Sequence, residues 1–411
     1  MQRLFAFLTL LSLTTSLCRA DFALRDGDTV AFLGDSITAA RGYTKVVEHY
    51  TLLRFPDRKV RFINAGQGGD TAHGCLKRLD RDVLDAGATV VTVAFGINDI
   101  GWGTKADDVH RQQYLDGIRE IVQRSHKRGV RVFICSPAIT DEAPNKAEQG
   151  YLQRMADDGM ALARSLGAET IDLSRGMREV QRRVFDANAS ESDPKKQTRM
   201  HVEDGVHLND LGQLAMAYAM IKGLGAPSEV SSAVVDAKSG TVVSTRGCTV
   251  SSVQRLQNGI AFRRLDRGLP LNLGILGALN YRWIPIPEGI NGYTLGVRNL
   301  PAGDYEVRVE GRLLGRYSAE RLAKGDNIAS ATSNGWEPGG PWDAQSDTVR
   351  ELVDARDKLW GAQVFRERFN ADNPHSQHRS RRTRRMDAEM IRLQRAIAKP
   401  YEYHFEIRRV P

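Results

Sequence analysis

Cysteine is nearly absent, with four in 411 residues, and Cys18 directly follows an N-terminal apolar stretch. Cys75, Cys135 and Cys248 are too few and too widely separated for a disulfide scaffold or a zinc signature, although one bridge between two of them stays open. Long hydrophobic runs are missing too. The apolar core from Leu4 to Leu17 is too short to span a bilayer, and no stop-transfer pattern follows it. With Arg3 before it and the small-x-small triplet Cys18-Arg19-Ala20 after it, the stretch reads as a signal peptide cleaved after Ala20. That places the expected site of action in the periplasm or outside the cell, with no stable membrane insertion after cleavage. Lipoprotein processing at Cys18 is disfavoured by bulky Leu17. Exact internal repeats are absent.

Acidic residues are outnumbered, 50 against 58 Lys and Arg, for a net charge of +8. The excess gathers at Arg379-Ser380-Arg381-Arg382-Thr383-Arg384-Arg385, beside His375 and His378. In a cytoplasmic protein such a run suggests nucleic acid. Behind an export signal, an anionic polysaccharide, an anionic surface or plain solvation fits better, and no nucleic-acid partner is expected.

What is present begins with Val30-Ala31-Phe32-Leu33, a short strand buried on both faces that Gly34-Asp35-Ser36 breaks where a helix should start. Further strands are expected at Val60 to Asn64, Val90 to Phe95, Val130 to Cys135 and Glu169 to Leu173. Helices are expected between them at Tyr43 to Arg54, Thr71 to Ala86, Asp107 to Lys127 and Ala147 to Leu166. Shorter helices follow at Met177 to Phe185 and Leu211 to Leu224, with a polar loop from Asp186 to Arg199 between them. Strands alternating with amphipathic helices predict an α/β fold, a three-layer α/β/α sandwich on a parallel five-stranded flavodoxin-like sheet. After Gly225-Ala226-Pro227 the pattern turns to short alternating runs, which predict an antiparallel β-rich, β-sandwich-like domain. The expected divisions are residues 1–20, 21–227 and 228–335, then a helical tail over 336–411 with a short strand at Tyr401 to Val410.

A serine at the carboxyl end of a buried strand becomes a nucleophile only with a base, an orienting acid and donors for a developing oxyanion. Glu203-Asp204-Gly205-Val206-His207 supplies the first two. A glycine between them lets the Asp204 carboxylate turn back onto His207, which would take the Ser36 proton. The N–H groups of Gly69 and Ser36 and the side-chain amide of Asn98 follow the ends of different strands and could converge as donors. Asp70 and Asp99 are expected to support or cap, and His73 and His201 to lie at the cleft or the surface. Trp102 either stacks on a sugar or covers apolar surface. His201, Asp204 and His207 also offer metal ligands at close spacing, but a metal site leaves Ser36, Gly69 and Asn98 unexplained. The expected chemistry needs no cofactor.

Gly34-Asp35-Ser36, Gly68-Gly69-Asp70-Thr71, Gly96-x-Asn98-Asp99 and Asp204-x-x-His207 together resemble the four blocks of the SGNH hydrolase superfamily, the GDSL esterases and lipases, over residues 28 to about 225. The resemblance implies Ser36 as nucleophile, Gly69 and Asn98 as oxyanion donors, His207 as base and Asp204 as its partner. It implies a secreted serine esterase acting through an acyl-Ser36 intermediate on an acylated carbohydrate or small ester, with carbohydrate deacetylation as the expectation. The alternatives are a lipase, lysophospholipase or short-chain carboxylesterase, or a glycan-binding protein whose hydrolysis is secondary.

Overall fold

The computed structural model describes residues 22–370 and 374–411, with side chains except over 362–380. The signal-peptide reading lies outside the described residues. The first five strands, β1 (Thr29–Gly34), β2 (Arg61–Gly66), β3 (Val90–Ala94), β4 (Arg131–Cys135) and β5 (Glu169–Ile171), pair in parallel in the order β2-β1-β3-β4-β5. This is the flavodoxin-like order, whose switch point lies where β1 is flanked by β2 and β3. β1 and β3 are buried along their whole length, as their largely apolar sequences require.

Helices cover both faces. On one lie α2 (Gly42–Arg54), α5 (Leu173–Asn188) and α6 (Asp210–Gly223); on the other lie α3 (Asp108–Lys127) and α4 (Tyr151–Ser165). A short α1 (Ser36–Ala39) begins directly at the serine. Side-chain oxygens fix the starts of these helices: Asp35 accepts from Ile37 N, Asp107 from His110 N, Asp172 from Arg175 N and Asn209 from Gly212 N.

The helix expected over Thr71 to Ala86 does not form as one element. A 3₁₀ turn (Gly74–Lys77) and a π turn (Asp80–Leu84) replace it, although Leu79, Val83 and Leu84 are buried as the apolar spacing requires. The Thr71 hydroxyl takes the Gly74 N–H at 2.9 Å, and Arg78 is drawn inward to the strand ends, so local side-chain bonds outcompete the regular ladder. The helix expected from Met177 starts instead at Leu173, where Asp172 caps it.

The β-rich region holds two sheets. One contains β6 (Glu229–Asp236), β7 (Thr241–Arg246), β10 (Gly292–Arg298) and β13 (Asp326–Asn327), in the order β13-β10-β6-β7. The other contains β8 (Cys248–Leu256), β9 (Gly259–Asp266), β11 (Asp304–Val309), β12 (Arg312–Ser318) and β14 (Glu402–Arg409), in the order β12-β11-β14-β9-β8. Alternation predicts antiparallel pairing throughout, but β6 and β10 run parallel, because β7 to β9 and a long connection return the chain to the same end before β10 begins.

Residues 336–411 do more than trail behind. β14 sits between β9 and β11, and α7 (Pro341–Asn370) and α8 (Pro374–Ile397) pack on the first domain. Arg356 of α7 is buried between Glu48 of α2 and Asp387 of α8, at 2.8 Å from each, and also donates to Phe62 O at 3.0 Å. Lys45 meets Asp354 at 2.6 Å and His49 bonds Ser346 O at 2.8 Å. These contacts brace α2, the helix that follows the serine turn. The exposed Arg381, Arg382, Arg384 and Arg385 of the basic run lie on α8. No helix of the described residues is long and apolar enough to cross a membrane.

Candidate active site

The Ser36, Asp204 and His207 side chains meet at the carboxyl edge of the parallel sheet. Ser36 Oγ lies 2.8 Å from His207 Nε2, and His207 Nδ1 lies 2.5 Å from Asp204 Oδ2. The Ser36 end is set by the abrupt passage from β1 into α1. The His207 end is set by a small closed loop, in which His201 and Leu208 form an isolated β-bridge and Val202 N donates to His207 O at 2.9 Å.

Inside that loop Asp204 Oδ1 accepts from Val206 N at 2.9 Å and His207 N at 2.8 Å, so the carboxylate folds back while Oδ2 stays with the imidazole. The His207 hydrogen bond, followed by those backbone N–H groups, lowers the Asp204 pKa to about 2. Gly205 makes the turn possible. Its φ is +71°, and a Cβ there would lie 2.6 Å from an Asp141 carboxylate oxygen.

The glycine loop after β2 runs beside the serine: a Cβ on Gly68 would lie 4.0 Å from Ser36 Cβ, and Gly69 has φ +72°. Asn98 follows β3, and its Nδ2 donates to Asp70 O at 3.1 Å while its Oδ1 accepts from Trp102 Nε1 at 2.9 Å. Those two bonds fix which end of the amide is which, with the NH₂ turned toward the Gly69–Asp70 loop and a second N–H left over. The arrangement can attack a carbonyl through Ser36 and shuttle a proton through His207, with the glycine loop and Asn98 beside them.

Two carboxylates behind the site are buried. Asp35 caps α1, and burial raises its pKa to about 6, although the Ile37 N–H bond and the nearby His207 act the other way. Asp99 Oδ1 accepts from Ala72 N at 2.9 Å, tying the glycine loop to the β3 loop. Its Oδ2 is buried with no partner, and burial raises its pKa to about 7. His201 is buried, with Nε2 3.0 Å from Ile139 O, and burial lowers its pKa. His201 therefore shares no ligand sphere with Asp204 and His207, and among the described residues no cluster of His, Cys, Asp and Glu is placed to hold a metal. His73 is exposed, and Cys75, Cys135 and Cys248 are free, buried thiols.

Pattern reading misses the role of two residues. Arg78, 5% exposed, donates to Asp70 Oδ2 at 2.6 Å, Ala65 O at 2.7 Å and Gly34 O at 3.2 Å, clamping the ends of β1 and β2 to the glycine loop. An arginine amid the buried Leu79, Val83 and Leu84 is the signal that could have flagged it. Trp102 neither covers core nor stands free. It holds Asn98 through its indole N–H and meets the His207 ring edge-on, centroids 5.6 Å apart, from a left-handed backbone at φ +57°.

A doubly wound sheet with a Ser-His-Asp chain at its carboxyl edge is the arrangement of a serine hydrolase. The model of the GDSL-like lipase/acylhydrolase family matches residues 32–215. The α/β part of the chain that the model matches, residues 32–215, accordingly has the fold and the serine-hydrolase blocks of the SGNH/GDSL superfamily, and an additional β-rich module follows it.

Among known proteins, an uncharacterized lipoprotein of Bacillus subtilis, YqeF, is 31% identical over 121 residues, 27% of this chain. The matched part spans about half of that relative, 49% of its length. An acetylxylan esterase of Geobacillus stearothermophilus is 21% identical over 224 residues, covering 48% of this chain and 94% of the esterase. The solved structure of a gut microbial diltiazem-metabolizing enzyme matches with a TM-score of 0.81 at 22% identity, covering 95% of this chain and 100% of that one. That likeness shows that the fold of both regions recurs together.

Proposed function

We propose that this protein is an exported serine esterase that removes acetyl groups from carbohydrate. The observation that carries the hydrolytic part is the unbroken Ser36-His207-Asp204 chain at 2.8 and 2.5 Å. The carbohydrate part is supported by the similarity, at 21% identity, to a protein named acetylxylan esterase.

In this reading Ser36 Oγ attacks the ester carbonyl as His207 Nε2 takes its proton. The oxyanion is met by the Gly69 and Ser36 N–H groups and the spare Asn98 N–H, donors held in place before charge develops. His207 returns the proton to the departing sugar hydroxyl. Water, deprotonated by the same imidazole, then cleaves the acyl-Ser36 ester and releases acetate. Asp204 keeps Nδ1 protonated and balances the transient imidazolium.

The test is acetate release from a panel of acetylated polysaccharides, with p-nitrophenyl acetate and octanoate in parallel and Ser36→Ala as blank. Ser36-dependent acetate release with little octanoate cleavage is expected. Cleavage of the synthetic esters alone removes the carbohydrate assignment, and turnover unchanged in S36A removes the mechanism. Export belongs to the same reading and is supported by the Arg3, Leu4 to Leu17 and Ala20 pattern; a mature N-terminus at Asp21, found by sequencing the exported protein, is the expected result.

A further inference from the structure

Among the described residues, Arg78, Arg178, Arg264 and Arg356 are the buried arginines. Arg78 meets Asp70 at 2.6 Å, Arg264 meets Asp266 at 3.0 Å, and Arg356 meets both Glu48 and Asp387 at 2.8 Å. Arg178 of α5 is 4% exposed and none of its bonds is to a carboxylate. Its hydrogen bonds all leave from Nη1, to Thr140 O at 3.1 Å, Glu142 O at 2.9 Å and Gln181 Oε1. Nε is buried with no acceptor. The carboxylates whose charge acts most on Arg178 are already taken, Glu142 by Lys146 at 2.9 Å and Glu148 by Arg182. Burial pulls the guanidinium down to about 10. A buried cation with no counter-ion is costly, and the structure spends that cost beside an opening.

Arg178 lines a cavity of about 280 Å³ together with Ile100, Trp102, Glu142, Tyr151 and Ser174. Trp102 is the wall this cavity shares with the active site, since the same ring meets His207 edge-on. His207 hands its proton to the leaving alcohol, so the leaving group must lie on the His207 side of Ser36. The cavity beyond Trp102 is therefore on the side of the sugar rather than of the acetyl group.

We propose that this cavity is a carboxylate subsite in which Arg178 pairs with the acid group of a uronic acid in the acylated carbohydrate. The inference rests on the carbohydrate reading above. With Nη1 committed to Thr140 O, Glu142 O and Gln181 Oε1 and Nε buried, Nη2 is the donor left for a carboxylate oxygen at the cavity wall. One cation suits one negative charge. Trp102 and Tyr151 offer aromatic faces to the ring that bears it, and the volume is at the small end of ligand sites.

The experiment compares acetylated oligogalacturonides, in which every sugar carries a carboxylate, with the same oligomers after reduction of the carboxyls to primary alcohols. The wild-type enzyme is expected to favour the acidic oligomer in kcat/KM by about tenfold or more, mainly through KM, as a charge-assisted pair implies. In Arg178→Gln the ratio between the two oligomers falls to about one, and in R178K part of it survives, by the same pairing. The ratio is internal to each enzyme, so a general loss of activity cancels. Should R178Q fail to fold, galacturonate and galactose are compared as inhibitors of p-nitrophenyl acetate hydrolysis by the wild-type enzyme, with galacturonate expected to bind better. Equal rates on both oligomers, a ratio unchanged in R178Q, or equal inhibition by the two sugars overturns the subsite while leaving the esterase reading intact. Release of acetate from neither oligomer, while another acetylated polysaccharide is deacetylated, overturns the subsite alone; release from no polysaccharide at all, with p-nitrophenyl acetate still cleaved, overturns the carbohydrate reading and the subsite with it.

Discussion

The indole N–H of Trp102 donates to Asn98 Oδ1 at 2.9 Å, and Asn98 Nδ2 in turn donates to Asp70 O at 3.1 Å. A half-exposed tryptophan thus orients the amide that the proposed mechanism uses as an oxyanion donor. Trp102→Phe keeps the ring against His207 and removes only the donor. Its kcat should fall about fivefold, the worth of one neutral hydrogen bond, with KM little changed. Asn98→Ala removes the donor to the oxyanion itself and should cost about a hundredfold or more in kcat. Steady-state kinetics on p-nitrophenyl acetate separate the two; a W102F variant with wild-type kcat would disconnect Trp102 from the amide.

Asp204 stays ionised far into acid because its pKa drops from 3.8 to about 2, first through the His207 hydrogen bond. The sign follows: whatever stability this depressed carboxylate contributes is present above pH 4 and disappears as pH falls through about 2. Loss of activity on mild acidification should therefore not come from Asp204. Asp204→Asn keeps the shape of the turn but offers an amide to Nδ1, and kcat should fall by about 10³ to 10⁴. Activity in D204N within tenfold of wild type would show that Asp204 does not orient the base.

Asp99 behaves in the opposite way. Burial raises its pKa from 3.8 to about 7, so the folded protein binds a proton that the unfolded chain releases. Stability contributed by the protonated form is complete below about pH 4 and is lost as pH rises toward 7. Asp99→Asn can still accept from Ala72 N while carrying no charge. Urea denaturation at pH 5 and pH 8 should find D99N losing less stability than wild type over that interval, by roughly 2 to 4 kcal/mol. An equal loss in both proteins would mean that Asp99 does not titrate there.

Arg78 holds Asp70, Ala65 O and Gly34 O from a buried position. Arg78→Met strands the Asp70 carboxylate and leaves two carbonyls short of donors, so unfolding free energy should fall by about 3 to 5 kcal/mol. Because those groups end β1 and start the glycine loop, kcat should fall in the folded fraction too. Denaturation midpoints and active-site titration of the same sample check both; unchanged stability would remove the clamp.

The parallel sheet was legible because β1, β3 and β4 are short, largely apolar runs closed by glycine or a polar residue, and three of the four hydrolase blocks follow β1, β2 and β3. Ser36, Gly69 and Asn98 could be read as site residues because strand ends in such sheets face one side, and Asp204 with His207 because a glycine between them lets the carboxylate turn back onto the imidazole. Residues 71–86 were not, since the spacing of Leu79 and Val83 is the same in an α-helix as in the two irregular turns that bury them. What decides between them is Arg78 reaching strand ends, a contact that period and composition do not encode. Trp102 was ambiguous for the same reason: its partner is four residues away, but only the left-handed turn at Trp102 brings the indole back. Arg178 carries no sequence signal of its own, because what sets it apart, nearby carboxylates committed to Lys146 and Arg182, is a matter of three-dimensional packing.

The placement of β14 between β9 and β11 has a bearing on biosynthesis. The sheet formed by residues 248–318 has its middle position vacant until residues 402–409 leave the ribosome, so two facing edges must wait open while more than eighty residues are made. The parallel sheet, whose strands are all in hand by residue 171, can close first. Stopping translation after Lys399 should accordingly yield a chain with a formed hydrolase unit and two unpaired edges beside it, a substrate for chaperones rather than a shorter enzyme.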